Sequence, residues 1–469
     1  MLDRSESHPI TERHSAGLVH RVARCILTPM ADTATSPLSR LLTRFAPIEP
    51  RETRAVLAAF FLFFLMWAGY FSVRPVRETI GTLLGRDTVA DLWVLTAIFS
   101  VLIIPIFGTI VARLRRSTFL PSIYGFVAVV LALVGFGMQG EFNPLLGKFF
   151  YVFISVLNLF LISMFWSFML ELFDKGQAKR VFGVIFAGGS AGALAGPFVS
   201  DMSVGFIGHS GVLFLGASLF VGAILCQRVL LAIWSDRPGA PSTAASEDRP
   251  IGGNVLAGIT LILRSRYLLG IALFIVGITT VNTLLYFEQL RLVEITFADT
   301  TERTRIFARL DWIVQSLTVL SQIFLTGRIA SRFGVTTLLT LVPLVMIFGF
   351  LGLAASGTFA VLAFVFVIRR WGEYAFVRPG REMLWSPLDK ETKYKAKNTV
   401  DVPVYRGSDA LAAQVNSGIA AAGVGAAGIM MIGAAVAALW GLLGWWLGRQ
   451  FESGAVTGAP RPVAQESTG

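Results

Sequence analysis

The chain has 469 residues, 54% of them hydrophobic and only 15% charged, against roughly a quarter charged in soluble domains. With a mean hydropathy of +0.68, that balance excludes a soluble globule, which needs a polar surface. The net charge of +11 does not point to nucleic acid, because the cations sit in short segments between apolar runs and form no single basic stripe.

Residues 1–54 read as a cytoplasmic tail. Its opening, MLDRSESHPITERHSAG, lacks the apolar core of a signal peptide, and Met30 offers a second plausible start. Pro37 to Ile48 has the basic amphipathic pattern of a segment lying on the membrane surface. The histidines His8, His14, His20 and His209 are scattered, and Cys25 and Cys226 give neither metal spacing nor a disulfide framework. No metal site and no cofactor are expected.

An apolar run of about 17–25 residues crosses the hydrocarbon core as a helix. Six such runs follow the tail: Ala55–Val73, Leu92–Ala112, Thr118–Met138, Phe149–Leu172, Val181–Ser200 and Gly211–Trp234. Residues 235–252, rich in Pro, Ser and Ala, read as a cytoplasmic linker. Six more runs come after it: Tyr267–Phe287, Ile306–Ala330, Val335–Ala355, Thr358–Val377, Asp409–Val424 and Gly428–Gly448. The expectation is an all-α membrane protein of about twelve transmembrane helices. It has one six-helix bundle in 55–234 and another in 253–450, and a disordered tail over 451–469. With both termini inside, the inner loops carry about twenty cations and the outer loops about eight. In that count the segment from Arg378 to Arg406, with its Lys390–Lys397 run, is a solvated inner loop.

Two segments recur about 215 to 220 residues apart. Gly108 stands five residues before Arg113, as Gly327 stands five before Arg332, each at a cytoplasmic helix end. Phe173-Asp174-Lys175 after the fourth run matches Leu388-Asp389-Lys390 after the tenth. A duplicated six-helix unit produces such offsets, and parallel repeats about a central cavity are the major facilitator architecture. The Gly-to-Arg segments resemble the facilitator loop motif, which casts Arg113 and Arg332 as gating residues. The fifth run carries Gly188-Gly189-Ser190-Ala191-Gly192 and Gly196-Pro197, small residues that let two helices approach closely.

Charge at membrane depth is expensive and marks function or structural pairing. Arg74, Arg77 and Glu78 end the first run, one turn beyond Tyr70; Glu288 ends the seventh. Arg309 and Asp311 lie in the eighth, and Arg369, Arg370 and Glu373 in the tenth. Arginine presents a planar fork of donors suited to carboxylate or phosphate. Arg74, Arg77, Arg369 and Arg370, with Tyr70, are therefore the candidate binding residues for an anionic substrate. Glu78, Glu288, Asp311 and Glu373 are the candidate gating partners. The plainer alternative is an interfacial ion cluster at Arg74–Glu78 and permanent structural pairs for Arg369 and Arg370.

Arg74-Pro75-Val76-Arg77-Glu78, Tyr286-Phe287-Glu288-Gln289 and Arg378-Pro379-Gly380-Arg381-Glu382 resemble the nucleotide-exchange branch of the facilitators, as does the stretch from Lys393 to Asp409. That branch comprises bacterial NTP/NDP exchange transporters, distant relatives of the ATP/ADP translocases of plastids and intracellular bacteria. The resemblance covers residues 48–450 and implies exchange of ATP against ADP independent of protons. One departure is Arg77-Glu78, where the translocases carry Lys-Asp. No Walker A loop is present, and no nucleophile–base pair suggests an enzyme. The expected protein is a monomeric antiporter of the bacterial inner membrane. Its partners are an anionic small molecule, nucleotide-like, and the bilayer, with no nucleic acid. The alternatives are a facilitator or proton-coupled exporter of another anion, and a non-transporting membrane scaffold or sensor.

Overall fold

A computed structural model describes residues 49, 52–113, 116–235 and 255–454. The tail segment 37–48, residues 236–252 of the linker and residues 455–469 lie outside the described residues. In chain order the helices are α1 Thr53–Leu84, α2 Arg86–Arg113, α3 Arg116–Gly137, α4 Pro144–Leu172 and α5 Lys175–Ser235. A short α6, Val255–Arg264, leads into α7 Arg266–Thr296, α8 Thr300–Phe324 and α9 Thr326–Ser356. Then come α10 Phe359–Gly372, α11 Arg378–Met383, α12 Lys390–Thr399, α13 Tyr405–Ala421 and α14 Ala426–Glu452.

Side chains and glycines punctuate the chain where helices must start or turn. Asn143 caps α4, accepting from the Leu145 and Leu146 amides at 2.9 and 3.3 Å ahead of Pro144. Asp299 caps α8 through the Thr301 and Glu302 amides, and Asp389 caps α12 through the Thr392 amide at 2.9 Å. Gly208 sits at φ 66° and splits α5 into arms 175–207 and 209–235. Gly334, at φ 78°, splits α9 in the same manner. Both positions need a backbone region that other residues enter at a cost.

Among the described residues, seven helices are long and apolar enough to cross a membrane by length and composition, the two-armed Arg180–Ile233 counting as one. The chain is thus an integral membrane protein. The buried apolar side chains fall into one cluster from α1, α3, α4 and α5 and another from α6 to α14. A third, smaller cluster joins α2 and α4 to α7, α8 and α13.

Lipid tails are as apolar as leucine, so close packing rather than burial from water draws helices together in a bilayer. The glycines of α5 provide it. A Cβ on Gly188 or Gly192 would overlap the carbonyl of Phe60 or Phe64 on α1, and one on Gly196 would lie 2.6 Å from the Ala68 carbonyl. Spaced four apart, the three glycines make one smooth face against the α1 backbone. Gly444 of α14 plays this part against α9, where a Cβ would stand 2.8 Å from the Leu339 carbonyl.

The segment from Arg378 to Arg406 differs from the solvated loop expected above. It consists of α11, a short turn, α12 and the start of α13. π-helical turns at Glu373–Val377 and Val400–Val404 join α10 to α11 and α12 to α13 without a break. In an α-helix, residues five apart point well away from one another. The π turn's i→i+5 period closes that angle, bringing Arg378 back over Glu373. The charge count treated Arg378 as a topology signal, whereas the π turn sets its half-exposed side chain against the buried Glu373.

Candidate functional site

A cavity opens between the two helical groups, with a volume of about 190 Å³. Six arginines line it: Arg74 and Arg77 from α1, Arg369 and Arg370 from α10, Arg378 from α11 and Arg406 from α13. Only two carboxylates, Glu373 and Asp409, share the lining. The aromatic wall holds Trp93, Tyr151, Tyr286 and Tyr374. Trp93 lies 5.0 Å from the Tyr286 ring and donates to the Tyr151 hydroxyl at 2.9 Å. The Arg77 guanidinium stands 5.2 Å over Tyr151, and that of Arg378 stands 4.4 Å over Tyr374, within reach of a cation–π attraction.

The arginines are held by carboxylates at the rim. Asp311 of α8 accepts from Arg370 and, at 3.2 Å, from Arg74 on the opposite helical group. Glu78 pairs with Arg77, lies 3.6 Å from Arg74, and accepts at 2.8 Å from the Tyr286 hydroxyl. Glu373 takes Arg369 at 2.9 Å and Arg378 at 3.1 Å. Burial of such pairs is tolerable only because each carboxylate is shared among several donors. Donor capacity still remains, since Arg77 Nε, Arg369 Nε and Arg370 Nη2 are buried without a hydrogen-bond partner. Buried N–H groups normally find one, so these three leave hydrogen-bond donors beside the cavity without an acceptor.

The described hydrogen bonds between the two groups cluster at the end bearing Gly85, Gly208 and Phe297. The Thr79 and Thr304 hydroxyls meet at 2.6 Å, and Arg303 donates to Thr82 at 3.0 Å. His209 Nε2 lies 2.9 Å from the Thr304 hydroxyl. Asp201, buried at the end of the first α5 arm, accepts from Arg309 at 3.3 Å and from the Trp312 indole at 3.1 Å. Arg309 is half exposed, so water screens its share, and the Trp312 bond dominates. A hydrogen bond to a charged group contributes about 1.5–3 kcal/mol. Asp201→Ala is therefore expected to raise thiol labelling of a Thr304→Cys reporter by about tenfold or more. Unchanged labelling would show that Asp201 is no latch.

The structure brings Arg74, Arg77, Arg369, Arg370 and Glu373 to one cavity, with Glu78 and Asp311 paired to them at its rim. Glu288 is placed differently. It bonds Arg291 on its own helix at 2.9 Å, three residues on, and does not face the cavity arginines. Tyr70 packs in the first core cluster against Trp67 and Phe71 and is not a lining residue. The Arg332 residue is exposed, and the side chain of Arg113 lies outside the described residues. Sequence reasoning missed Arg378, Arg406, Asp409, Tyr151 and Asp201. The signal for Arg378 was present in the Arg378–Glu382 motif, and that for Arg406 and Asp409 in the Lys393–Asp409 stretch, which has no reason to be specific if it is only a loop.

No protein-family model matches the chain. Among curated proteins, it is 24% identical to ADP,ATP carrier protein 1 of Chlamydia muridarum over 447 residues, covering 80% of this chain and 84% of that one. The ADP,ATP carrier protein 1 of Chlamydia trachomatis gives 24% over 455 residues, with the same coverage. The resemblance carried by the motifs is thus recovered along most of both chains. Among solved structures, a bacterial homologue of the human lysosomal transporter Spinster superposes with a TM-score of 0.58 at 13% identity. It covers 87% of this chain and 98% of its own. A bacterial homologue of the iron transporter ferroportin, inward-facing, gives 0.57 at 12%, covering 85% and 98%. The nucleoside transporter NupG gives 0.55 at 13%, covering 86% and 99%. The chain has the fold of these transporters, the major facilitator fold.

Proposed function

We propose that the chain is a secondary transporter that moves an anionic, nucleotide-like solute across the bacterial inner membrane by alternating access. It spans the membrane twelve times with both termini in the cytoplasm. The observation that carries this reading is the convergence of six arginines from both helical groups on one cavity with three unmet N–H donors. A phosphate chain offers the acceptor oxygens those donors need. The Trp93–Tyr286 wall offers faces on which a base stacks, and the Chlamydia carriers are similar along most of their length.

In this orientation the closed end is periplasmic and the cavity faces inward. Asp311 then holds Arg74 and Arg370 together across the two groups when no cargo is bound. Cargo oxygens take over those arginines, release Asp311 and let the groups rock. An empty carrier keeps its bridge, so reorientation without cargo is opposed and exchange is favoured.

Thermal unfolding tests the binding step. A ligand at 100 times its Kd stabilises by about 2.7 kcal/mol. ATP and ADP are expected to raise the melting temperature, and adenosine, lacking phosphate, is not. Folded protein indifferent to both nucleotides would overturn the nucleotide reading. A second reading rests on size. At about 190 Å³ the cavity is smaller than a usual ligand pocket, roughly 300–1,000 Å³, and suits a smaller anion unless the ion pairs part. Stabilisation by inorganic phosphate alone would favour that reading.

A further inference from the structure

Every carboxylate at the cavity rim has a cation of its own. Glu78 has Arg77, Asp311 has Arg370 and Arg74, and Glu373 has Arg369 and Arg378. Glu288, away from the cavity, has Arg291. A carboxylate so paired resists protonation, because the proton must displace a bound guanidinium. Asp409 of α13 is different. It lines the cavity, is 8% exposed, and its Oδ1 is buried with no hydrogen-bond partner. Among the described residues no ion pair within 4.0 Å reaches it.

The groups around Asp409 set its charge state. Its own helix contributes Arg406 and Tyr405, and α10 with its π turn contributes Arg369 and Glu373. On α7, which packs against α13 through the 2.8 Å Thr279–Ser408 hydrogen bond, the near side chains are Thr279 and Asn282, neither of which titrates. From α2, Asp91 bonds Gln414 at 3.1 Å, further along the helix. The π turn before α13 holds Asp401, which faces Arg381 at 3.4 Å. Across the cavity stand Arg74 and Arg77.

We propose that Asp409 is a proton-binding site within the cavity: its Oδ1 takes a proton from water when the anionic cargo binds and releases it to water on the far side. The inference rests on the transport reading above. In the empty cavity the field of the arginines, Arg406 foremost, favours the Asp409 carboxylate against the cost of burying it. Cargo charge cancels that field and adds repulsion of its own, so a second negative charge in the same low-dielectric space becomes unfavourable. Protonation leaves a neutral acid whose O–H becomes a donor toward the cargo. A metal cation is a poor alternative, since six arginines repel it and the described residues hold no cluster of three or more His, Cys, Asp or Glu side chains.

Two measurements test the site, the first independent of any substrate. In infrared difference spectra of the solubilised wild type, a carboxylic-acid C=O band is expected to titrate. That band is lost in Asp409→Asn and kept in Asp174→Asn, a control at the exposed cap before α5. Identical spectra for wild type and Asp409→Asn would overturn the proposal, whether or not nucleotides are the cargo. In vesicles containing ADP, with the same pH on both sides, labelled ATP uptake by the wild type is expected to slow as that pH is raised, because ATP entering and ADP leaving each need a protonated Asp409. Asp409→Asn is expected to lose that response. A titrating band with uptake indifferent to pH in both proteins would overturn the coupling. A failure of ATP uptake itself would strike the nucleotide reading and leave the infrared result to decide the site.

Discussion

Replacing Arg370 by glutamine is expected to abolish transport and to destabilise the protein, for one reason in each case. Arg370 is 3% exposed, carries an unmet Nη2 donor beside the cavity, and is the closer of two cations on Asp311. Without it, Asp311 keeps only Arg74, at 3.2 Å and across the interface between the groups. Breaking a buried ion pair from one side costs about 3–5 kcal/mol, whereas neutralising both partners is often nearly free. The double variant Arg370→Gln with Asp311→Asn is therefore expected to recover most of the lost thermal stability. It should not recover uptake, because the cargo has still lost a guanidinium. Wild-type flux in Arg370→Gln would contradict the cavity assignment. A double variant no more stable than the single would contradict the pairing.

Gly192→Val is expected to be as damaging, through packing alone. A Cβ at Gly192 would overlap the Phe64 carbonyl of α1, and a backbone does not yield as a flexible side chain does. The helices must separate, because the glycine face of α5 provides their close approach, the polar bonds from Gln177 and Arg180 to Glu52 lying at the end of the contact. Loss of the folded monodisperse protein in detergent is the expected result. Gly183→Ala, where nothing lies within 4 Å of an added Cβ, should behave as wild type. Equal melting of both variants would show that the α1–α5 contact is looser than its geometry implies.

Apolar run length carried most of the fold, since a run near 20 residues has few other uses. It marks α1, α3, α4, α7 and α14, which all qualify as spans. It fails where function puts charge on a helix. With Arg303, Arg305, Arg309 and Asp311 on it, α8 reads as a span only from Ile306, and the helices from α10 to α13 read as a span, a loop and a second span, Asp409–Val424. Two π turns, which no periodicity of 3.6 detects, join parts of that loop to the neighbouring helices and make Arg378 and Arg406 cavity residues.

Depth arguments located Arg369 and Arg370, because a cation inside an apolar run is conspicuous. Depth alone could not separate Glu288 from Asp311. Both are buried acids, but Arg291 lies one turn from Glu288 while Asp311 faces another helix. Which way a side chain points depends on packing that the one-dimensional pattern does not hold. Asp201 was passed over because it stands at the end of a glycine-rich run that already had an explanation. Its partners, Arg309 and Trp312, are more than a hundred residues away.

The most direct test of the central claim is uptake of labelled ATP by proteoliposomes containing the folded protein, preloaded with ADP or left empty. Uptake is expected into preloaded vesicles and little into empty ones, because the Arg74–Asp311–Arg370 bridge holds an unloaded carrier in place. Equal uptake in both would contradict the exchange mechanism, and no uptake in either would contradict the nucleotide cargo.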